Sequence, residues 1–138
     1  MNNRLKLFVV LLGGRPFGAT IEQHNVFWGV AHELEDLYGA IKRSWLAAPK
    51  VHIDAYMCIE QVNDYDVVIC EKNEVTNLVG IETEKNLFFV NAGFYKRDVM
   101  GEYHGGGLII ASDKEEVKTI FINDIKLDHI EDISIHID

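Results

Sequence analysis

Two Glu-x-His pairs, Glu22–His24 and Glu102–His104, hold the residue types best suited to chemistry in this chain. Alternate side chains of an extended strand share a face, so each pair presents a carboxylate and an imidazole to the same side. Imidazole nitrogen combined with carboxylate oxygen is a donor set for zinc, manganese or iron. A plainer reading competes with this one. His24 shares its strand parity with Val26, Trp28 and Val30, and His104 shares its parity with Leu108 and Ile110. An imidazole at the rim of an apolar face ordinarily hydrogen-bonds a carboxylate or a backbone carbonyl. The spacing alone does not separate the readings, because no helical His-Glu-x-x-His array is present.

The loops before the two pairs form a second candidate. One offers Gly13, Gly14, Arg15 and Gly18, the other Gly93, Lys96, Arg97 and Gly101. Cationic side chains beside glycines could hold a small anion through backbone N–H groups and a guanidinium, although a hairpin loop with solvated charges is the plainer explanation. No glycine-rich phosphate loop ending in Lys-Ser/Thr occurs. A third candidate is His52-x-Asp54-x-Tyr56, expected on the polar face of one strand, where a His–Asp pair could orient a general base. Neither Cys58 nor Ser44 sits in a context that activates a nucleophile.

The elements that must position these residues follow from hydrophobic period. Leu5–Leu12 and Leu87–Ala92 are apolar on both parities, as in central strands covered on both faces. Glycine- and proline-rich turn chemistry at 13–18 precedes a second strand at His24–Ala31. Glu33–Ala47 places Leu34, Leu37, Tyr38, Ile41 and Trp45 on one helical stripe, with Pro49 beyond its end. Ser112, with Glu115 three residues on, reads as the capping box of a second helix whose inward face is Val117, Ile120 and Phe121. Alternation at His52–Val62 and Asp132–Asp138 gives a closing strand to each half. Asn63-Asp64 reads as a hairpin turn into Tyr65–Glu71, with another strand at Asn77–Glu82.

The unit is thus β-β-α-β, and it occurs twice. An offset of about 80 residues sets LFVVLLGG at Leu7–Gly14 over LFFVNAGF at Leu87–Phe94, and Glu22 and His24 over Glu102 and His104. A short deletion then sets His52-Ile53-Asp54 over His129-Ile130-Glu131. The expected fold is one α+β domain over 1–138, with repeats at 5–62 and 85–138 and a hairpin insertion at 63–84. Its central strands would lie side by side about a pseudo-two-fold axis in a mixed or antiparallel sheet, helices on one face. A ferredoxin-like arrangement is the alternative.

Composition narrows the partners. The chain has 138 residues, a net charge of −9 and 48% hydrophobic residues, within the range of one ordinary globular domain. The acidic balance argues against nucleic acid, whose phosphates need clustered Lys and Arg, and against anionic membranes. Cys58 and Cys70 lack the spacing of a zinc or redox motif and read as reduced. The apolar run Leu7–Leu12 is too short for a signal core, and nothing approaches a membrane span. A cytoplasmic location is the default, and a homodimer would cover the sheet face that two helices leave bare.

The stretch LFVVLLGGRPFGATIEQHNVFW, followed by the helix and HIDAYMCIE, resembles the bacterial family called domain of unknown function 1543. The resemblance covers most of Leu7–Glu60 and, more loosely, Leu87–Asp138; it implies a short module often used in two copies. Its signature-like positions here are Gly13, Gly14, Arg15, Gly18, Ile21, Glu22, His24, His52, Ile53 and Asp54. The second copy departs at Phe94, Tyr95 and Lys96, which stand where Gly14, Arg15 and Pro16 do. The resemblance supplies no activity, substrate or cofactor. The resulting expectation is a non-enzymatic module binding a small ligand or a protein partner through Arg15, Glu22, His24, His52, Asp54, Glu102 and His104. The alternative is a metal-dependent enzyme using Glu22, His24, Glu102 and His104.

Overall fold

Strands that are apolar on both parities become the middle strands of their sheets. In the computed structural model, which describes residues 4–71, 80, 84–95, 98–127 and 136–137, the first such strand is β1, Lys6–Gly14. It is flanked by β2, Gln23–Ala31, and β3, Val51–Ile59, both antiparallel to it. Between them run a 3₁₀ turn, Leu34–Leu37, and helix α1, Tyr38–Ser44. A hairpin of β4, Gln61–Val62, and β5, Tyr65–Asp66, follows. Asn63 takes the left-handed φ of 53° that its turn requires. The second series is β6, Asn86–Phe94, β7, Tyr103–Ala111, helix α2, Lys114–Leu127, and β8, His136–Ile137.

The protein is α+β, with antiparallel strand pairs and two α-helices among the described residues. The chain forms two compact units, one built on β1, β2, α1 and β3, the other on β6, β7, α2 and β8. The sheet orders are β2-β1-β3 and β7-β6-β8. Among the described residues the two central strands, β1 and β6, thus belong to separate hydrogen-bonded sheets. β1 is paired along both edges, whereas β6 is paired along its length with β7 and, among the described residues, with β8 only at Ala92 and Gly93.

In the first unit Phe8, Val10 and Leu12 point to the side covered by Leu34, Leu37 and Ile41, and all six are buried. Burying side chains of this size stabilises by about 1.5–3 kcal/mol each, which is what holds the helical segment on the sheet. Trp45, Val51, Ile53 and Cys58 pack on the same cluster, while Tyr38 remains exposed. The expected continuous helix over 33–47 is instead a tight 3₁₀ turn and a shorter α-helix. The tighter winding accompanies a close approach: a methyl group on Gly29 of β2 would stand 2.8 Å from Leu37 Cδ1.

In the second unit Val90, Ile109, Ala111 and Val117 form the buried cluster, with Phe88, Ile120 and Phe121 against it. The expected inward face of α2 is confirmed, but its start moves by one residue. Asp113 Oδ1 accepts from the Glu115 and Glu116 amides at 2.9 Å each, and Glu116 Oε2 accepts from the Ser112 amide at 2.7 Å. Asp113, not Ser112, is the cap, and Glu116, not Glu115, reaches back. The strand expected over Tyr65–Glu71 ends at Asp66. Most of the one expected at Asn77–Glu82 lies outside the described residues, as do Lys96, Arg97, His129 and Glu131.

Candidate metal centre

The two sequence candidates Glu22–His24 and His52–Asp54 turn out to be one cluster. Gly13 near the end of β1 pairs with His24 on one side and His52 on the other, so both imidazoles flank the same glycine. Glu22 arrives from the loop just before β2. Asp54 arrives by an irregularity in β3: Leu12 pairs with Ile53 and Leu11 with Ala55, which leaves Asp54 as the extra residue of a β-bulge. Bulges of this kind redirect a side chain out of strict alternation.

The bulge also separates residues that the sequence placed together. His52 and Asp54 share the site, but Tyr56 pairs with Val10 and so falls on the parity of Phe8 and Leu12. The expected common face of His52, Asp54 and Tyr56 is thereby corrected. Ile53 likewise belongs to the helix-covered core, whereas Met57 lies on the other parity, opposite Val9.

His24 Nε2 lies 3.2 Å from Asp54 Oδ2 and 3.8 Å from Glu22 Oε1. His52 Nε2 lies 3.1 Å from Asp54 Oδ1 and 3.6 Å from Glu22 Oε2. Donor atoms of Glu22, His24 and Asp54 all fall within 4.8 Å of one another. Bonds of about 2.0–2.2 Å to a single ion separate neighbouring donor atoms by about 3.0–3.6 Å, so the 3.1 and 3.2 Å contacts already have that spacing, whereas the wider ones would have to close around an ion. The two carboxylates suit a cation, on a chain of net charge −9. The side chains of Glu22, His24 and His52 are about half exposed, and Asp54 is 28% exposed.

Gly13 makes room for the cluster. A Cβ there would stand 2.8 Å from Asp54 Oδ2 and closer still to His52 Nε2. Arg15 lies in the following loop and is not one of the converging donors. Its Nε donates to the Ala19 carbonyl at 3.1 Å and its Nη2 to the Thr20 carbonyl, which ties down the segment that delivers Glu22.

In the second unit Gly93 pairs with His104 on one side, and His104 Nε2 lies 3.4 Å from Glu102 Oε2. The Glu102 carboxyl lies over the Gly93 Cα, where a side chain would collide with it. The same carboxylate raises the pKa of the Tyr95 hydroxyl, because a phenolate beside it would be repelled. On its other side Gly93 pairs with His136. The sequence alignment matched His52 to His129, which lies outside the described residues, and did not single out His136. The signal was present: His52-Ile53-Asp54 recurs unchanged as His136-Ile137-Asp138, four residues beyond the 80-residue offset rather than short of it.

Without a cation the cluster has no evident covalent chemistry. Cys58 is on the helix-covered parity, opposite Phe8. Burial, with the neighbouring Glu60 carboxylate, pushes its thiol pKa up, away from the thiolate that a nucleophile requires.

Fold and site together define an α+β protein carrying a cluster of imidazoles and carboxylates on a three-stranded antiparallel sheet. Residues 19–69 match the model of the family described as Domain of Unknown Function (DUF1543), a span that contains Glu22, His24, His52 and Asp54. No curated protein matches the chain. Among solved structures it is similar to the crystal structure of a protein Il1583 from Idiomarina loihiensis. The identity is 25%, the TM-score is 0.66, and the match covers 97% of this chain and 86% of that one. Among the described residues, no helix is long and apolar enough to cross a membrane.

Proposed function

We propose that the protein is a binding module for a divalent first-row transition metal ion, held by Glu22, His24, His52 and Asp54. The observation that carries this reading is the approach of Glu22, His24 and Asp54 donor atoms to within 4.8 Å of one another, with His52 Nε2 3.1 Å from Asp54 and 3.6 Å from Glu22. Nitrogen–oxygen donors without sulfur favour zinc, manganese or iron over copper(I), and the imidazoles disfavour magnesium and calcium. The second unit, with the same strand order and a glycine–histidine pairing at the same place, is read as a tandem copy of the first.

Zinc titration by calorimetry, on untagged protein purified without chelator or imidazole, tests the reading. His24→Ala combined with His52→Ala should remove one equivalent of zinc while the far-ultraviolet circular dichroism is retained, because both side chains are about half exposed. Zinc uptake equal to that of the unaltered protein would refute the assignment.

A metal-dependent enzyme is the second reading, and the open side of the cluster is what favours it. Structural zinc sites are closed, whereas catalytic ones keep a position for water. Hydrolysis of an activated phosphodiester or ester by the zinc-loaded protein, lost in His52→Ala, would support it; zinc binding without turnover would leave the binding module.

A further inference from the structure

We infer that the chain binds two metal ions, one in each unit, and that the second is held by Glu102, His104 and His136; this rests on the metal-binding reading of the first site. The argument is one of register. In the first unit a glycine near the end of the central strand is paired on one side with the histidine of Glu-x-His and on the other with the histidine of His-Ile-Asp. In the second unit Gly93 is paired with His104 of Glu-x-His and with His136 of His-Ile-Asp. Alternation along antiparallel strands gives residues paired with one central position a common face. His104 and His136 therefore stand in the second unit at the register positions that His24 and His52 hold in the first.

Two further observations point the same way. Glu102 Oε2 already lies 3.4 Å from His104 Nε2, an in-place counterpart of the Glu22–His24 contact. Gly93 also repeats the use of Gly13: a side chain at either position would collide with the donor groups gathered over it, Glu102 at one and His52 with Asp54 at the other. The sequence counterpart of Asp54 is Asp138, which lies outside the described residues. Glu102 and His104 with a third donor from register position His136 would supply three protein ligands, the number a zinc site with an open position uses.

Counting zinc ions by native mass spectrometry, on the unaltered full chain and on three variants, tests this inference. The expected counts are two for the unaltered protein, one for His24→Ala/His52→Ala, one for His104→Ala/His136→Ala, and none when all are replaced. Glu102→Gln, which removes a charge and little volume, should weaken one of the two equivalents by tenfold or more in calorimetry and keeps the test decisive if the double variant misfolds. One equivalent that survives both His104→Ala/His136→Ala and Glu102→Gln would overturn the second site and leave the first standing. One equivalent lost on altering either pair would replace two separate sites by a single shared ion and also overturn the inference. No uptake by the unaltered protein would overturn both readings.

Discussion

A single hydrogen atom at position 13 decides whether the cluster can assemble. Gly13 has an ordinary strand pairing on both sides, so its requirement is one of space and not of backbone freedom. Gly13→Ala would drive a methyl group into His52 Nε2 and Asp54 Oδ2. The side chains that must yield are the far ends of half-exposed groups, so they swing away and the strand persists. Zinc affinity should fall about 10–100-fold, as when other supports of a metal ligand are removed. Urea denaturation of the zinc-free protein should move little, which separates a lost site from a lost fold. The residue types of the site were legible in the sequence, since Glu22, His24, His52 and Asp54 were all singled out. Their union was not, because it depends on which residues lie opposite Gly13, and pairing register leaves no mark in a strand's own alternation.

The elements show where hydrophobic period succeeds and where it fails. It yields the β-β-α-β order, because burial imposes period 2 on strands and 3.6 on helices. It failed at the β3 bulge, since one extra residue shifts the parity beyond it and carries Tyr56 to the core side. It failed again at the start of α2, where Ser112 and Asp113 are both good caps and only the bonding geometry chooses Asp113. It leaves the second His-Ile-Asp ambiguous, because His129-Ile130-Glu131 and His136-Ile137-Asp138 both follow α2, which at 14 residues is longer than α1 at 7.

That helix start has a measurable consequence in acid. Glu116 accepts from the Ser112 amide and pairs with Lys85 at 2.9 and 3.2 Å, and these partners lower its pKa from 4.5 to about 2. A carboxylate with a depressed folded-state pKa stabilises the fold above its ordinary value and loses that contribution as the pH falls through 4.5 towards about 2. Glu116→Gln should therefore lower the urea midpoint at neutral pH. The gap to the unaltered protein should close progressively over that acid window; a gap constant with pH would show that the ion pair and the amide bond contribute nothing through charge.

At the scale of the whole molecule, bound metal acts on the folding equilibrium by mass action. Zinc at a free concentration of 100 times its dissociation constant adds about 2.7 kcal/mol for each site that exists only in the folded state. The thermal midpoint of the unaltered protein should rise by several degrees with zinc, and that of the variant lacking His24, His52, His104 and His136 should not move.

An ion held by the first cluster would also slow the loss of the fold. Among the described residues, strands β2 and β3 are the two edges of their sheet, each hydrogen-bonded to β1 between them. An ion bound by His24 and His52 spans the central strand and fastens one edge to the other, so neither edge can peel away until a coordination bond breaks. Its ligands come from both sides of the helical segment and meet only when all three strands are in place, so the site should be unformed in the folding transition state. Interactions absent from the transition state slow unfolding and leave the folding rate unchanged. Zinc should accordingly shift only the unfolding arm of a chevron plot, so that the ion serves as a latch on a door the chain closes by itself.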